Sequence, residues 1–154
     1  MDAHSPPPSS PALTLPPPPF ASLRLASPAD ILRLGVVCTA GFRYSEEFTW
    51  ERTHHEEYPQ STITFYRQEV SEFIRSPDHI VLVAMDRYSP EESSKTEAVI
   101  PADNGWSPPE PVTEVVVGLG IWKLEPSSER TGQFQNDNGM YLRDWGLSPS
   151  AVLA

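Results

Sequence analysis

The 154-residue sequence predicts an α/β domain built on a mixed sheet. Two short runs rich in β-branched residues, 80–85 and 113–124, have the length and the flanking Pro, Asp, Glu and Ser residues of buried strands. Two other segments, 27–41 and 61–75, repeat apolar residues at helical spacing. Because the run at 80–85 is apolar without alternation, both of its faces should contact protein. We therefore expect the helices to pack on this pair of strands.

The composition disfavours several classes of function. A formal net charge of −10 argues against binding to phosphate backbones or anionic lipid, since both require clustered Lys and Arg. The acidity is compatible with a cationic ligand such as an amine. The single cysteine, Cys38, fits a reducing compartment, and no secretory signal or bilayer-spanning run is recognisable. We expect a cytoplasmic protein that binds neither nucleic acid nor membrane.

The first 25 residues divide into a tail and a strand. Residues 1–21 are rich in Pro and Ser, which favours a disordered, solvated tail, and they lack the basic residues of most SH3 or WW ligands. Order should begin at Ser22. There Leu23 and Leu25 alternate with Ser22 and Arg24, as in a half-buried edge strand.

The first helix should follow directly. Ser27 is placed to cap it, Pro28 suits the first helical position, and Asp30 completes a pattern like a capping box. Gly41 is a plausible end. The apolar stripe of this helix contains Ile31, Leu32, Leu34, Val36 and Cys38.

A long polar connection from Gly41 to Ser61 carries several aromatic side chains and no predicted helix or strand. Its paired carboxylates, Glu46-Glu47 and Glu56-Glu57, are candidates for binding a cation or acting as a general base, with the aromatic residues as a pocket wall. The simpler alternative is a set of solvated loop charges.

A metal site in the same connection is not expected. His54-His55-Glu56-Glu57 suggests the H-E-x-x-H pattern of zinc proteases, but Pro59 stands where the second histidine would have to be. A loose site using His54, His55 and one glutamate is a weaker alternative to ordinary loop side chains.

The second helix should begin at Ser61 or Thr62 and end before Ser76-Pro77. Its buried face is expected to contain Ile63, Tyr66, Val70, Phe73 and Ile74, and its solvent face Arg67, Gln68, Glu69 and Glu72. After the strand at 80–85, the acidic, proline-rich insert 86–111 is predicted to be a surface excursion that Trp106 anchors. Residues 127–154 are predicted to be irregular, with a weak apolar pattern near Trp145.

Two further residue types invite chemical hypotheses. Gly118-x-Gly120 follows a strand, but the third glycine of a dinucleotide fingerprint is replaced by Lys123, so a bulge or close backbone approach is favoured. Cys38 lies within the apolar stripe of the first helix. It is therefore expected to be a core residue rather than a nucleophile.

The order strand, capped helix, aromatic loop, helix, strand, insert, strand resembles the first half of the GNAT superfamily of N-acetyltransferases. The residues that carry the resemblance are 23–30, the strand at 115–123 and, for a fungal branch of GNAT-like proteins, 76–79, 101–106 and 132–137. The likeness covers roughly residues 22–139, and 22–126 would be the N-terminal half of the domain.

The resemblance implies transfer of an acetyl group from acetyl-CoA to an amine acceptor. In the family, a Q/R-x-x-G-x-G/A loop binds the cofactor pyrophosphate at a helix N-terminus. The segment Arg130-Thr131-Gly132-Gln133 does not supply that loop, so acetyl-CoA binding by this chain is doubtful, and no catalytic residue is assigned. The loop between the first two helices should shape the acceptor site, and its candidates are Tyr44, Glu46, Glu47, Trp50 and Tyr58.

Two alternatives remain open at this point. One is a non-catalytic interaction module that uses an exposed sheet edge or the Pro-rich tail to contact a partner. The other is an incomplete polypeptide that does not fold stably by itself. The first alternative predicts a discrete oligomer or complex, although the sequence does not specify which oligomeric state.

Overall fold

The computed structural model describes residues 23–136; the predicted tail 1–21 and the weak apolar pattern near Trp145 lie outside them. The elements in chain order are β1 (Leu23–Leu25), a 3-10 turn (Pro28–Asp30), α1 (Ile31–Phe42), α2 (Glu46–Glu51), α3 (Pro59–Arg75), β2 (His79–Arg87), a second 3-10 turn (Glu92–Lys95) and β3 (Glu114–Lys123). The predicted α/β class is confirmed. No helix in this part of the chain is long and apolar enough to span a membrane.

The three strands form one antiparallel sheet in the order β1-β2-β3. The predicted pairing of the two core strands is confirmed, since Ile80 lies opposite Trp122 and Val83 opposite Leu119. The register shifts between Ala84 and Met85, which leaves Val117 as an extra residue on β3, a β-bulge. In residues 23–136, β3 pairs with β2 alone and forms one edge of the sheet.

Both faces of β2 contact protein, as its unbroken apolar run predicts. Val81 and Val83 belong to a cluster with Leu34 of α1 and Val70 of α3. On the opposite face, Ile80 and Leu82 of the strand pack with Leu25 and Phe134 in a second cluster. Burying a side chain of this size contributes about 1.5–3 kcal/mol. The helices therefore cover one face of the sheet, and residues near 134 cover part of the other.

The entry into α1 is fixed by a buried charge pair. The Ser27 amide donates to Asp30 Oδ2 at 2.8 Å, which confirms the predicted capping box, and Arg24 donates to both Asp30 oxygens at 2.7 Å. Burial by itself raises the pKa of Asp30, but the hydrogen bonds from Arg24 and Ser27 outweigh it and hold that pKa below its usual value. The expectation that Arg24 faces solvent on an edge strand is wrong, because this pairing buries it.

The connection between the first two predicted helices is shorter than the sequence suggests. Residues 46–51 form α2, whose N-cap Ser45 accepts a hydrogen bond from the Phe48 amide at 3.1 Å. Phe48 is buried in the main cluster, which anchors the segment. The third helix begins at Pro59 rather than at Ser61 or Thr62, because proline suits the first helical position.

The insert folds back over the helices, and residues 88–113 are called the strap below. Two backbone hydrogen bonds close its ends: the Tyr88 amide donates to the Thr113 carbonyl oxygen at 2.8 Å, and the Val112 amide donates to the Tyr88 carbonyl oxygen at 3.2 Å. Arg33 of α1 donates to both carboxylate oxygens of Glu92 and lies 4.3 Å from the centre of the Trp106 ring. Trp106 therefore anchors the strap, as predicted.

A second arginine ties the strap to both helices. Arg67 of α3 donates to the carbonyl oxygen of Leu32 at 2.8 Å and to that of Asn104 at 2.6 Å. The expectation that Arg67 lies on the solvent face of its helix is therefore wrong. Gly35 of α1 makes the crossing possible, because a Cβ atom there would lie 2.6 Å from Arg67 Cγ and 2.9 Å from the Ile63 carbonyl oxygen.

Candidate functional site

A cavity of about 470 Å³ lies between the end of α1, the strap and the bulge of β3. We call it the Tyr44 cavity. Most of its wall is apolar, and the lining residues are Val37, Cys38, Ala40, Gly41, Phe42, Tyr44, Glu92, Lys95, Thr96, Val117, Gly118 and Leu119. The sequence folds this way here because α1 ends at Phe42 and the strap returns across that end. The result is an open, largely apolar pocket beside an edge strand.

Tyr44 links the cavity to the strap. Its hydroxyl donates to the Lys95 carbonyl oxygen at 3.4 Å and accepts from the Glu97 amide at 3.1 Å. Close by, the Thr96 hydroxyl donates to the carbonyl oxygen of Ala40 in the last turn of α1 at 3.3 Å. These contacts hold the second 3-10 turn as the roof of the cavity.

A neighbouring cavity of about 310 Å³ continues along α1 and shares five lining residues with the first: Val37, Ala40, Glu92, Thr96 and Val117. Arg33 lines this second space and is almost fully buried. Its guanidinium is occupied, because it binds Glu92 and also donates to the Val116 carbonyl oxygen at 2.8 Å. The two cavities form a groove whose buried charges are already paired.

Cys38 touches the Tyr44 cavity but is not a nucleophile. The side chain is 2% exposed, and burial, followed by the negative charge of Glu69, raises the pKa of its thiol to about 12. A thiol with that pKa carries almost no thiolate near neutral pH. The expectation that Cys38 is a core residue is confirmed.

The structure separates the five predicted acceptor residues. Tyr44 lines the cavity described above, whereas Tyr58 lines a different cavity of about 350 Å³ with Arg52, His54 and Phe65. The three others, Glu46, Glu47 and Trp50, lie exposed on α2 and line neither cavity. The acceptor role of all five remains a prediction, and only Tyr44 faces the larger space.

His55 is a buried residue whose role the sequence did not indicate. Its Nε2 accepts the Val99 amide at 3.1 Å, so the proton lies on Nδ1, which donates to the Thr62 hydroxyl at 3.1 Å. Burial, followed by the positive charge of Arg43, lowers the pKa of His55. This neutral histidine joins the strap to the start of α3.

Metal ligation by this segment has little structural basis. Both ring nitrogens of His55 are engaged within the protein, and His54 is exposed with Nδ1 3.8 Å from a Glu57 oxygen. Among residues 23–136 there is no cluster of three or more His, Cys, Asp or Glu side chains that could hold a metal ion.

The glycines of the predicted fingerprint have structural roles. Gly118 follows the bulge at Val117, and a Cβ atom at Gly120 would overlap with the ring of Trp122, which lies across it. The predicted bulge is therefore confirmed, whereas the close approach at Gly120 comes from the side chain of Trp122 and not from backbone.

The turn at 130–133 does not fit the pyrophosphate of acetyl-CoA. Its backbone donors are already used: the amide of Gly132 donates to the Pro77 carbonyl oxygen at 2.7 Å, and those of Thr131 and Gln133 donate to Ser128 and Arg130. A phosphate loop needs such groups free and directed at the ligand. The turn instead ties the chain after β3 to the start of β2.

Comparison with known proteins gives one informative result. The chain is 33% identical over 135 residues to a protein of Stachybotrys chartarum (strain CBS 109288 / IBT 7711) named "Acetyltransferase". The aligned region is 87% of this chain and 47% of the relative, so the chain spans about half of that protein's length. No family model matches the chain, and no solved structure matches it significantly.

Proposed function

We propose that this chain contributes the acceptor-binding part of an N-acetyltransferase of the GNAT type, and that the Tyr44 cavity holds the amine acceptor. The observation that carries the proposal is the similarity to the named acetyltransferase, which extends across 87% of the chain and so includes the segments that form the cavity. Acetyl transfer of this kind forms a bond from the amine nitrogen to the acetyl carbon and breaks the bond from that carbon to the sulfur of CoA, and the proton lost from nitrogen balances the proton gained when CoA leaves as a thiol.

The geometry of the cavity supports an acceptor role. An amine that attacks a thioester must lose its hydration and be held in one orientation, which a pocket with apolar walls and a few fixed polar groups provides. Tyr44 and Thr96 are each fixed by two hydrogen bonds, since the Thr96 hydroxyl also accepts from the Ala98 amide at 3.1 Å, so the roof of the cavity is preorganised. Val117, Gly118 and Leu119 of the edge strand β3 form one wall of the cavity.

Residues 23–136 do not account for acetyl-CoA binding. The turn at 130–133 has its amides engaged, and no helix follows it within the described residues. No transfer step can therefore be assigned to this part of the chain alone. Calorimetric titration of the 154-residue chain with acetyl-CoA is expected to show no saturable binding. Saturation at micromolar concentrations would contradict the proposal that this chain supplies the acceptor part and not the acetyl-CoA site.

A chimera tests the proposed function directly. In it, this chain replaces the 135-residue matching region of the Stachybotrys relative, and release of free CoA from acetyl-CoA is followed with and without a panel of primary amines. Amine-dependent release is the expected result. A folded chimera that binds acetyl-CoA but releases no CoA with any amine would contradict the proposal.

A second candidate function is protein interaction through the sheet edge. β3 is ten residues long, its outer edge has no strand partner among residues 23–136, and Val117 and Trp122 are 42% and 45% exposed. Such an edge can pair with another strand. Size exclusion with light scattering would show a discrete oligomer or complex if the edge serves this role, and a monomer with no partner would count against it.

A further inference from the structure

We infer that the Tyr44 cavity selects an amine with one positive charge and an apolar body, and that it discriminates against diamines and polyamines. The inference rests on the proposed function, because it names the substrate class of the same cavity. The distribution of apolar and charged residues around the Tyr44 cavity supports it.

The wall of the cavity suits an apolar body. Val37, Ala40, Val117 and Leu119 supply aliphatic surface from α1 and β3, and Phe42 adds an aromatic ring beside them. Apolar groups are stabilised when they leave water for such a surface. A hydrocarbon chain or ring of an acceptor would be stabilised in the same way.

A second ammonium group would have no carboxylate to bind there. Glu92 is the acidic residue in the lining, and Arg33 already holds both of its oxygens, at 2.8 Å for Oε2. The other charged residue of the lining is Lys95, which repels a cation. Burying a charge without a partner is costly, so a dication is disfavoured.

A single ammonium group is favoured at the mouth of the cavity. The last turn of α1 ends there, and the carbonyl groups at a helix C-terminus carry partial negative charge. Phe42 and Tyr44 are 46% and 61% exposed beside it, and aromatic rings attract cations. Gly41 has no side chain, and nothing lies within 4 Å of the position its Cβ would take, so access is open.

The test compares hexylamine with 1,6-diaminohexane, in which an ammonium group replaces one hydrogen of the terminal methyl. Each is titrated at neutral pH into the 154-residue chain while backbone amide shifts are followed by NMR. Hexylamine is expected to shift amides of 37–44 and 117–119, with a Kd at least about tenfold lower than that of the diamine. Equal affinity, tighter binding of the diamine, or no shifts in these segments would overturn the inference.

Charge reversal at the two lysines of the sequence provides a matched control. Lys95→Glu supplies an unpaired carboxylate at the cavity and is expected to reduce the preference for hexylamine to less than about threefold. Lys123→Glu changes the net charge equally, but the site is exposed at the far end of β3, and the preference should remain. The same change in both variants would indicate bulk charge and overturn the assignment.

This experiment is independent of catalysis. No acetyl-CoA is present, so a chain that transfers no acetyl group can still show the amine preference. A chimera that acetylates diamines as well as monoamines would leave the proposed function in place and refute the selectivity.

Discussion

The packed sheet with its helices and the strap are held in place by different forces. In the sheet and helices, fully buried apolar residues such as Leu34, Val70 and Val83 form one continuous cluster. The strap contributes few buried apolar side chains and is held by directed hydrogen bonds from Arg33, Arg67 and other polar groups. The first region follows hydrophobic periodicity, whereas the position of the strap depends on a few long-range polar contacts.

The largest expected effect is a cavity in the packed region. Leu34→Ala removes a side chain that is 0% exposed between α1 and the sheet, and it should lower the free energy of unfolding by about 3 kcal/mol. Chemical denaturation followed by circular dichroism measures the loss. Leu32→Ala is the control, since Leu32 is 48% exposed on the same helix. A similar loss in both variants would contradict the assignment of the core.

Removing the main polar anchor should release the strap. Arg33→Gln leaves Glu92 without its partner and removes the contact with Trp106, at a cost of about 2 kcal/mol. Limited proteolysis should then cut within residues 88–113 much faster than in the unaltered protein. Arg87 is an exposed arginine that lines the same cavity as Arg33, and Arg87→Gln should leave the rate of proteolysis unchanged. An intact strap in Arg33→Gln would show that other contacts suffice.

Two glycines of α1 should respond in opposite directions. A Cβ atom at Gly35 meets Arg67 and the Ile63 backbone, so Gly35→Ala should destabilise the protein by about 1–2 kcal/mol. Gly41 has open space around it, and Gly41→Ala should gain up to about 0.5 kcal/mol from helix propensity. Thermal unfolding of both variants checks the difference. Stabilisation at both sites would mean that α1 and α3 pack less closely than described.

The smallest expected effect is a pH dependence from His55. Its pKa is lowered in the folded protein, so the unfolded chain takes up the proton first. Stability from this group is complete above the unfolded pKa of about 6.5 and declines as the pH falls below it. In His55→Gln, the difference between the unfolding free energies at pH 7 and pH 5 should become smaller. In His54→Gln, which alters an exposed neighbour, the decline should persist.

The packed region could be predicted from the sequence because each element carries a local signal. The unbroken run of β2, the cap at Ser27 and the helical spacing of α3 all appear in the structure. The polar composition of 46–51 predicts a loop where helix α2 forms, although Ser45 followed by Glu46 and Glu47 is a recognisable helix start.

The candidate site was only partly predictable. Tyr44 was identified from the aromatic loop, but Lys95, Thr96 and Val117 reach the cavity only when the strap returns across α1. No periodicity in an acidic, proline-rich segment indicates which buried arginine it will contact. Arg33 and Arg67 bind partners that the tertiary fold brings to them, and Arg24 pairs with nearby Asp30, so polar residues in a sequence pattern do not identify the solvent face.

The most direct test of the account is the KM for an amine in the chimera, measured with and without Gly41→Leu. Gly41 lines the Tyr44 cavity and nothing lies within 4 Å of the position its Cβ would take, so a leucine there is expected to occupy part of the cavity. If the amine binds in this cavity, the KM for hexylamine should rise at least about tenfold, while the affinity for acetyl-CoA is unchanged. An unchanged KM in a folded Gly41→Leu chimera would show that the amine binds elsewhere.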